Sequence, residues 1–533
     1  MEANCTYLTY RKTNYFSDLV IDYINSDAKL KPFYKYPVNI KSIEDAIEER
    51  KKFPQQRNIL VEELQLQYKD LDAPPVLANN LKLLLSENTF TITTAHQPNV
   101  FTGPLYLIYK ILHAIKLSLY LKQELPAYNF VPVYFMGSED ADIDELGGIN
   151  IDGVAYKWNT SQTGAVGRMK VNAEFLQLII EMQGQIGVLK YGNELIEIYK
   201  SAYIKGKTIQ QATLDIINHL FGEYGLVVLI PDNARLKKIF APIIQRELID
   251  EFSYKAVTSA IASLEKQYKV QAGGRELNLF YLKEDRRERI EKEDGIFRVK
   301  ALELIFTEEE ILNELKKHPE RFSPNVILRG AFQETILPNI AFIGGGGELA
   351  YWLELKTVFE TIGVPYPMLL LRNSFLVIEE KWAAKIRELG LTFSDVFLSA
   401  HELMNLIVAN QSNNRFLLNG ELKNAESLYD QIALVAGAVD KTLDQHVAAL
   451  KVKALKHLQE LEKKMLRAEK RKFEVEQRQL LKIKSALFPG NNLQERVENF
   501  SLLYSKFGKD FINMLLDNSN ALEQQFAIVE ITS

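Results

Sequence analysis

Cysteine is almost absent from this chain: Cys5 is the only one in 533 residues. With a single thiol no intramolecular disulfide forms, and neither a paired-cysteine zinc motif nor a local catalytic-cysteine signature can be written. Histidine is also scarce, with seven residues at 96, 113, 219, 318, 401, 446 and 457 that show no metal-ligand spacing. No run of about 18 apolar residues occurs, and the first 16 positions carry charges and tyrosines where an export signal needs an apolar stretch. The expectation is a cytoplasmic protein without a membrane span, without a disulfide and without zinc. Excess positive charge is missing as well, because a net charge of −5 does not suit a surface built wholesale for nucleic acid.

What is present is ordinary globular material, 47% hydrophobic and 25% charged, in a chain longer than the roughly 250–300 residues at which one core stops growing. Short apolar runs rich in β-formers alternate with helical patterns, which is how a parallel α/β sheet reads in sequence. The expected strands are Thr89 to Ala95, Phe130 to Met136, Leu226 to Pro231, Ile340 to Gly344 and Met368 to Leu371. Helices are expected from Pro104 to Tyr120 and from about Glu348 to Ile362. The division expected is a core over 1–400 with insertions at about 150–220 and 250–330, a helical domain over 401–515, and a segment over 516–533 returning to the core.

Proline and glycine vanish between Ala438 and Phe488. Leu443, Val447, Leu450, Ala454, Leu458, Leu461, Met465 and Ala468 recur there at spacings of four and three, a coiled-coil seam. A continuous helix of this length would reach about 70 Å, so it needs a partner: residues 421–440 folded back, 493–516, or a second subunit. Between Lys441 and Phe488, 13 Lys+Arg stand against 6 Asp+Glu, read here as a solvated helical face rather than a ligand surface.

Three segments follow expected strands, where doubly wound folds collect their ligands. In the first, Thr93 to Pro104, His96 and Asn99 offer donors to phosphate and Gly103 admits close backbone approach; the alternative is a capped loop with a structural histidine. The second, Gly137 to Glu145, brings five acids together for an ammonium, a sugar hydroxyl, Mg²⁺ or general-base work; the alternative is a solvated acidic loop. The third, Gly344 to Trp352, opens with four glycines, whose ordering costs entropy unless backbone must approach a ligand; the alternative is a flexible loop. Arg329, Gln333 and Glu334 lie upstream, and Arg372-Asn373-Ser374 follows the last expected strand.

Together these stretches resemble the bacillithiol biosynthesis cysteine-adding enzyme family (BshC). The resemblance runs co-linearly through AHQPNVFTGPLYLIYKILHAIKL at 95–117, VPVYFMGSEDADIDE at 131–145, NLFYLKEDRRERIE at 278–291, the stretch 319–360, PMLLLRNS at 367–374 and LFPGNNLQERVENF at 487–500. The sequence departs from the family pattern at Ala95-His96-Gln97, where Gly-Gln-Gln is common, and at Gly330, where proline is expected. The resemblance implies a Rossmann-like parallel-sheet core similar to class I nucleotidyltransferases, inserted connecting subdomains, and a long α-helical coiled-coil domain that forms a homodimer. It implies addition of L-cysteine to the amino group of glucosaminyl-malate, the last step of bacillithiol biosynthesis, with ATP or ADP and Mg as expected cofactors. The nucleotide-binding residues so implied are His96, Gln97, Asn99, Thr102, Gly103, Gly345, Gly346, Arg372, Asn373 and Ser374. Substrate would be held by Ser138, Arg329, Gln333, Glu348, Tyr351 and Trp352, with Glu139, Asp140 and Asp142 as base or amine-binding carboxylates. Two other readings compete: an enzyme similar to class I aminoacyl-tRNA synthetases, and a non-catalytic nucleotide-binding coiled-coil scaffold.

Overall fold

In the structure, a computed structural model, residues 2–270, 273–412 and 417–532 are described. The chain divides into two compact units, one of residues 1–376 with 492–529 and the other of residues 377–491 with 530–533. The sequence expectation had drawn these boundaries at 400 and 515.

The first unit is built on a parallel sheet of β1 (Thr89–His96), β2 (Asn129–Met136), β3 (Val227–Leu229), β4 (Asn339–Gly344) and β5 (Met368–Leu371). Their spatial order is β5-β4-β1-β2-β3, and every neighbouring pair is parallel. This is the α/β, Rossmann-like arrangement, and its five strands fall on the five apolar runs named above. All eight residues of β1 are buried, as expected of a central strand covered on both faces. Helix α1 (Tyr106–Glu124) covers β1 and β2, followed in chain order by α2 (Ala234–Asp250), α3 (Val326–Ile336) and α4 (Gly346–Glu354). The expected helix from Glu348 to Ile362 is two helices, α4 and Lys356–Ile362, separated at Leu355.

β1 buries four threonines, and the hydroxyls of three of them find the partners that a dry core demands. Thr91 and Thr93 donate to Asn339 Oδ1 at 3.2 and 2.7 Å, and Thr94 donates to the Ile343 carbonyl. The Asn339 amide in turn donates to Glu334 at 2.7 Å, and Glu334 receives the Arg50 guanidinium at 2.6 Å. Both charged side chains of that pair are almost fully buried, 1% and 0% exposed. The network therefore locks the amino ends of β1 and β4 together, leaving the carboxyl ends to the ligand.

The second unit contains α5 (Asn419–Val439), α6 (Leu443–Lys470) and α7 (Glu474–Leu487). α6 packs on α5, folded back within the same chain, and Lys451 pairs with Asp430 at 2.8 Å across the hairpin. Of the expected seam, Val447, Ala454, Leu458 and Met465 are covered at least in part, whereas Leu443, Leu450, Leu461 and Ala468 stay exposed. The long helix expected through Phe488 is broken at residues 471–473, between α6 and α7, with neither proline nor glycine to mark the break. Nothing in the side chains there explains it.

Removing one member of a buried ion pair strands the other charge and costs about 3–5 kcal/mol. Glu334→Ala is accordingly expected to lower the urea unfolding free energy of the first unit by that order. A change below about 1 kcal/mol would show that the pair does not hold the strand ends.

Candidate functional site

At the carboxyl edge of the sheet the loops after β1, β2, β4 and β5 surround one cavity of about 570 Å³. The strands set its floor: Gly137 N–H donates to the His96 carbonyl at 2.8 Å, and Arg372 N–H donates to the Gly344 carbonyl at 2.8 Å. His96 and Gln97 come from the first loop, Ser138, Glu139 and Asp140 from the second, and Gly345, Gly346 and Glu348 from the third; Arg329, Tyr351 and Arg372 also line the wall.

The other expected residues are buried or turned elsewhere. Asn99 packs beneath Gly103, where φ is +61° and an added Cβ would stand 2.7 Å from Asn99 Cβ. Gly103 thus serves a tight left-handed turn, and buried Thr102 sits beside it at φ 68°. Asp142 is spent capping a helical turn, accepting from Glu145 N–H at 3.1 Å. Gln333 is buried against Glu334. Trp352 is buried with its ring stacked on Phe342 at 4.4 Å and on Phe359 at 5.5 Å; Gly330 leaves room for it, since a Cβ there would meet the indole at 3.0 Å. Asn373 donates to the Asn520 carbonyl and Ser374 accepts from Arg372. These eight positions support the wall and are not on it.

Several cavity residues escaped the sequence reading: Tyr106, Lys110, Arg275, Arg287, Arg289 and Arg496. Lys110 had a signal, an ammonium set between Tyr109 and Ile111 in the most apolar part of the run that became α1. Arg287, Arg289 and Arg496 had none beyond lying in stretches that carry the family resemblance, because only folding brings them to the sheet edge.

Seven cationic side chains line the cavity against three carboxylates, so it is built for anions. Two cations are neutralised in place. Lys110 is held by Glu348, whose carboxylate also accepts the Gly345 N–H at 2.8 Å, and Arg372 is held by Glu495 at 2.7 Å. Among the described residues Arg287, Arg329 and Arg496 have no carboxylate within ion-pair distance. Arg329 donates to the Tyr351 hydroxyl at 2.8 Å, while Arg287 stacks on Phe280 at 3.9 Å. Burial pulls the Arg496 guanidinium below its ordinary value, and the neighbouring charge of Arg372 pulls it further. An anion between these groups would relieve that strain.

His96 lies edge-on to Tyr106, 5.2 Å between ring centres, and its buried Nε2 has no protein partner. Burial, then the charges of Lys110, Arg329 and Arg372, hold its pKa well below the ordinary range. The imidazole is neutral and presents a hydrogen-bonding edge without adding charge. Ser138 Oγ is likewise buried on the wall without a partner. These two unpartnered atoms, the unpaired guanidiniums and the amino end of α4 fit a phosphate-bearing ligand. Among the described residues no group of three His, Cys, Asp or Glu stands close enough to hold a metal ion, and no helix is long and apolar enough to cross a membrane.

A Rossmann-like parallel sheet with a cationic cavity at its carboxyl edge defines a protein of the doubly wound α/β class. More particularly, the chain belongs to the bacillithiol biosynthesis BshC family: the model of its N-terminal Rossmann-like domain matches residues 1–373, and that of its C-terminal coiled-coil domain matches residues 375–531. A Flavobacterium johnsoniae protein with cysteine ligase BshC in its name is 39% identical over 535 residues, covering 100% of both chains. One from Christiangramia forsetii, similarly named, is 40% identical over 539 residues, covering 99% of each. A solved chain from Campylobacter jejuni, described as an arginyl-tRNA synthetase, is 12% identical with a TM-score of 0.22, spanning 80% of this chain and 92% of that one. That likeness is too weak to bear on the fold.

His113, behind the cavity, accepts from Asn373 N–H through Nδ1 at 3.1 Å and faces the Ala521 carbonyl through Nε2 at 3.0 Å, which requires the neutral Nε2–H tautomer. Burial lowers its pKa to about 4, from about 6.5 in an unfolded chain. The stability conferred by this lowered group is complete above pH 6.5 and lost progressively as pH falls toward 4, because the unfolded chain takes up the proton first. Urea midpoints measured across this window are expected to fall with pH, and His113→Gln to flatten the slope; an unchanged slope would mean that His113 is not held neutral.

Proposed function

We propose that this chain joins the carboxyl group of L-cysteine to the amino group of glucosaminyl-malate in the cytoplasm, forming the amide bond of bacillithiol, with a nucleotide supplying the activation. The observation that carries the reading is the charge of the cavity. Unpaired Arg287 and Arg329 suit the two carboxylates of a malate moiety, and Asp140 stands near them for a cationic amine. His96, Gly345, Gly346 and Arg496 would hold the phosphates of ATP or ADP, with Mg²⁺ sharing their charge.

Free carboxylate and ammonium do not condense in water, so the carboxyl must be activated and the amine deprotonated. The bound nucleotide supplies activation of the carboxyl carbon. The chain's own residues place the partners, exclude water and accept a proton. The cysteine side chain would rest by shape on the apolar wall of Phe135, Leu277 and Phe332, without a zinc ion.

Incubating the protein with cysteine, glucosaminyl-malate and ATP is expected to yield the conjugate by mass spectrometry. Loss of product on Arg329→Met is expected to exceed tenfold, since charge-assisted bonds to a substrate are worth about 1.5–3 kcal/mol. Absence of product from the wild type with every nucleotide tested would favour the scaffold reading, and salt-sensitive tRNA binding would favour the synthetase-like one.

We also propose that the second unit forms the homodimer. Leu428, Ile432, Val435 and Val439 make a stripe at spacings of four, three and four on α5, yet are 54%, 41%, 69% and 79% exposed within one chain. A second copy covering this stripe would bury it at about 25 cal/mol per Å². Leu428→Asp with Val435→Asp is expected to give monomers by light scattering, whereas a persisting dimer would place the interface elsewhere.

A further inference from the structure

Three carboxylates line the cavity, Glu139, Asp140 and Glu348, and their surroundings differ in a way that separates their roles. Glu348 is committed twice, to the Lys110 ammonium and to the Gly345 N–H. Glu139 pairs with Lys237, a lysine of α2 that is 1% exposed. Lys237 also donates to the Glu320 carbonyl at 2.9 Å and lies 3.9 Å from Asp232, which is itself clamped by Arg168 at 2.6 Å. An ammonium that displaced Lys237 from Glu139 would leave a buried lysine short of its counter-charge, a costly exchange.

Asp140 differs. It is half-buried, and among the described residues it has no cation within ion-pair distance. Its Oδ2 accepts from Gln97 Nε2 at 3.0 Å and its Oδ1 accepts from Asp142 N–H at 3.3 Å. Its own carbonyl accepts Val166 N–H at 2.7 Å, which fixes the backbone. A carboxylate oxygen accepts more than one bond, so each oxygen keeps capacity for a further donor, and Asp140 lines the cavity. Arg287 and Arg329 are near enough to influence Asp140 electrostatically without pairing with it.

We propose that Asp140 receives the substrate's ammonium and takes its proton, that Gln97 is a positioning residue for it, and that Glu139 is a fixed charge locked by Lys237. This rests on the reading of the cavity as an amide-forming site. The step balances as follows. The ammonium gives one proton to Asp140, and the freed nitrogen lone pair forms the C–N bond to a cysteinyl carbonyl activated through a phosphate oxygen. The bond from that carbonyl carbon to the phosphate oxygen breaks, the phosphate leaving with its electron pair, and the second nitrogen-borne proton departs to solvent.

The test compares binding, by calorimetry, of glucosaminyl-malate and of the same sugar with its nitrogen acetylated. Wild type is expected to prefer the free amine by on the order of tenfold to a hundredfold, the worth of one charge-assisted hydrogen bond. Asp140→Asn is expected to lose most of that preference while binding the acetylated sugar as wild type does. Glu139→Gln is expected to keep the preference. Retention of the preference in Asp140→Asn overturns the assignment, as does its loss in Glu139→Gln alone or its absence from the wild type. Binding of neither sugar by the wild type overturns the functional reading itself, and this assignment falls with it.

Discussion

The buried ion pair of Arg372 with Glu495 is the contact on which the site depends. Taking both charges out of water is expensive, and the geometry offsets that cost with further bonds. The second guanidinium nitrogen donates to the Asn373 carbonyl and the Ser374 hydroxyl, and the second oxygen of Glu495 accepts Phe375 N–H. The chain leaving β5 is thereby held turned across the sheet edge, with the Arg372 guanidinium 5.5 Å from the Tyr106 ring. The same turn presents Asn373 N–H to His113, and through it ties the loop to α1. One pair thus fixes the last strand, the covering helix and one side of the cavity together.

The division of charge follows from this. Positive groups needed for the frame carry carboxylates of their own, as Lys110 and Arg372 do. Positive groups left for a ligand do not. A cavity with that pattern is held in shape before its ligand arrives, which spares the cost of ordering side chains on binding. The loop after β1 shows the same preference for rigidity, because Phe101, Thr102 and Gly103 all have positive φ. Tyr203 and Asn499 fix this strained turn through the Phe101 N–H and through the Phe101 and Gly103 carbonyls.

The sheet was legible in the sequence because its five strands are short buried runs of β-formers, and burial on both faces leaves no other reading for a run such as Thr89–His96. The helical hairpin was legible from its seam, but the interruption at 471–473 was not, since no breaker residue occurs there. At the site, segments that follow strands were legible as segments. Individual side chains within them were not. His96 and Asn99 are three residues apart and equally polar, and only the turn at Gly103 sends one to the cavity wall and the other beneath the loop. Trp352 and Tyr351 are adjacent on α4, and the helix period puts the first into the core and the second on the wall. Cations supplied by distant stretches, Arg287 and Arg496 among them, depend on tertiary proximity that no local pattern encodes.

The chain leaves the first unit after residue 376 and rejoins it at 492. Glu495, Arg496 and Asn499 therefore follow the whole helical excursion in order of synthesis. On the ribosome the five strands are complete at Leu371, while the turn after β1 still lacks its Asn499 clasp and the guanidinium after β5 still lacks its counter-charge. A nascent or clipped product that ends inside the excursion has the sheet without the finished pocket. The residues that complete the pocket are thus made only after the whole stretch that forms the coiled coil.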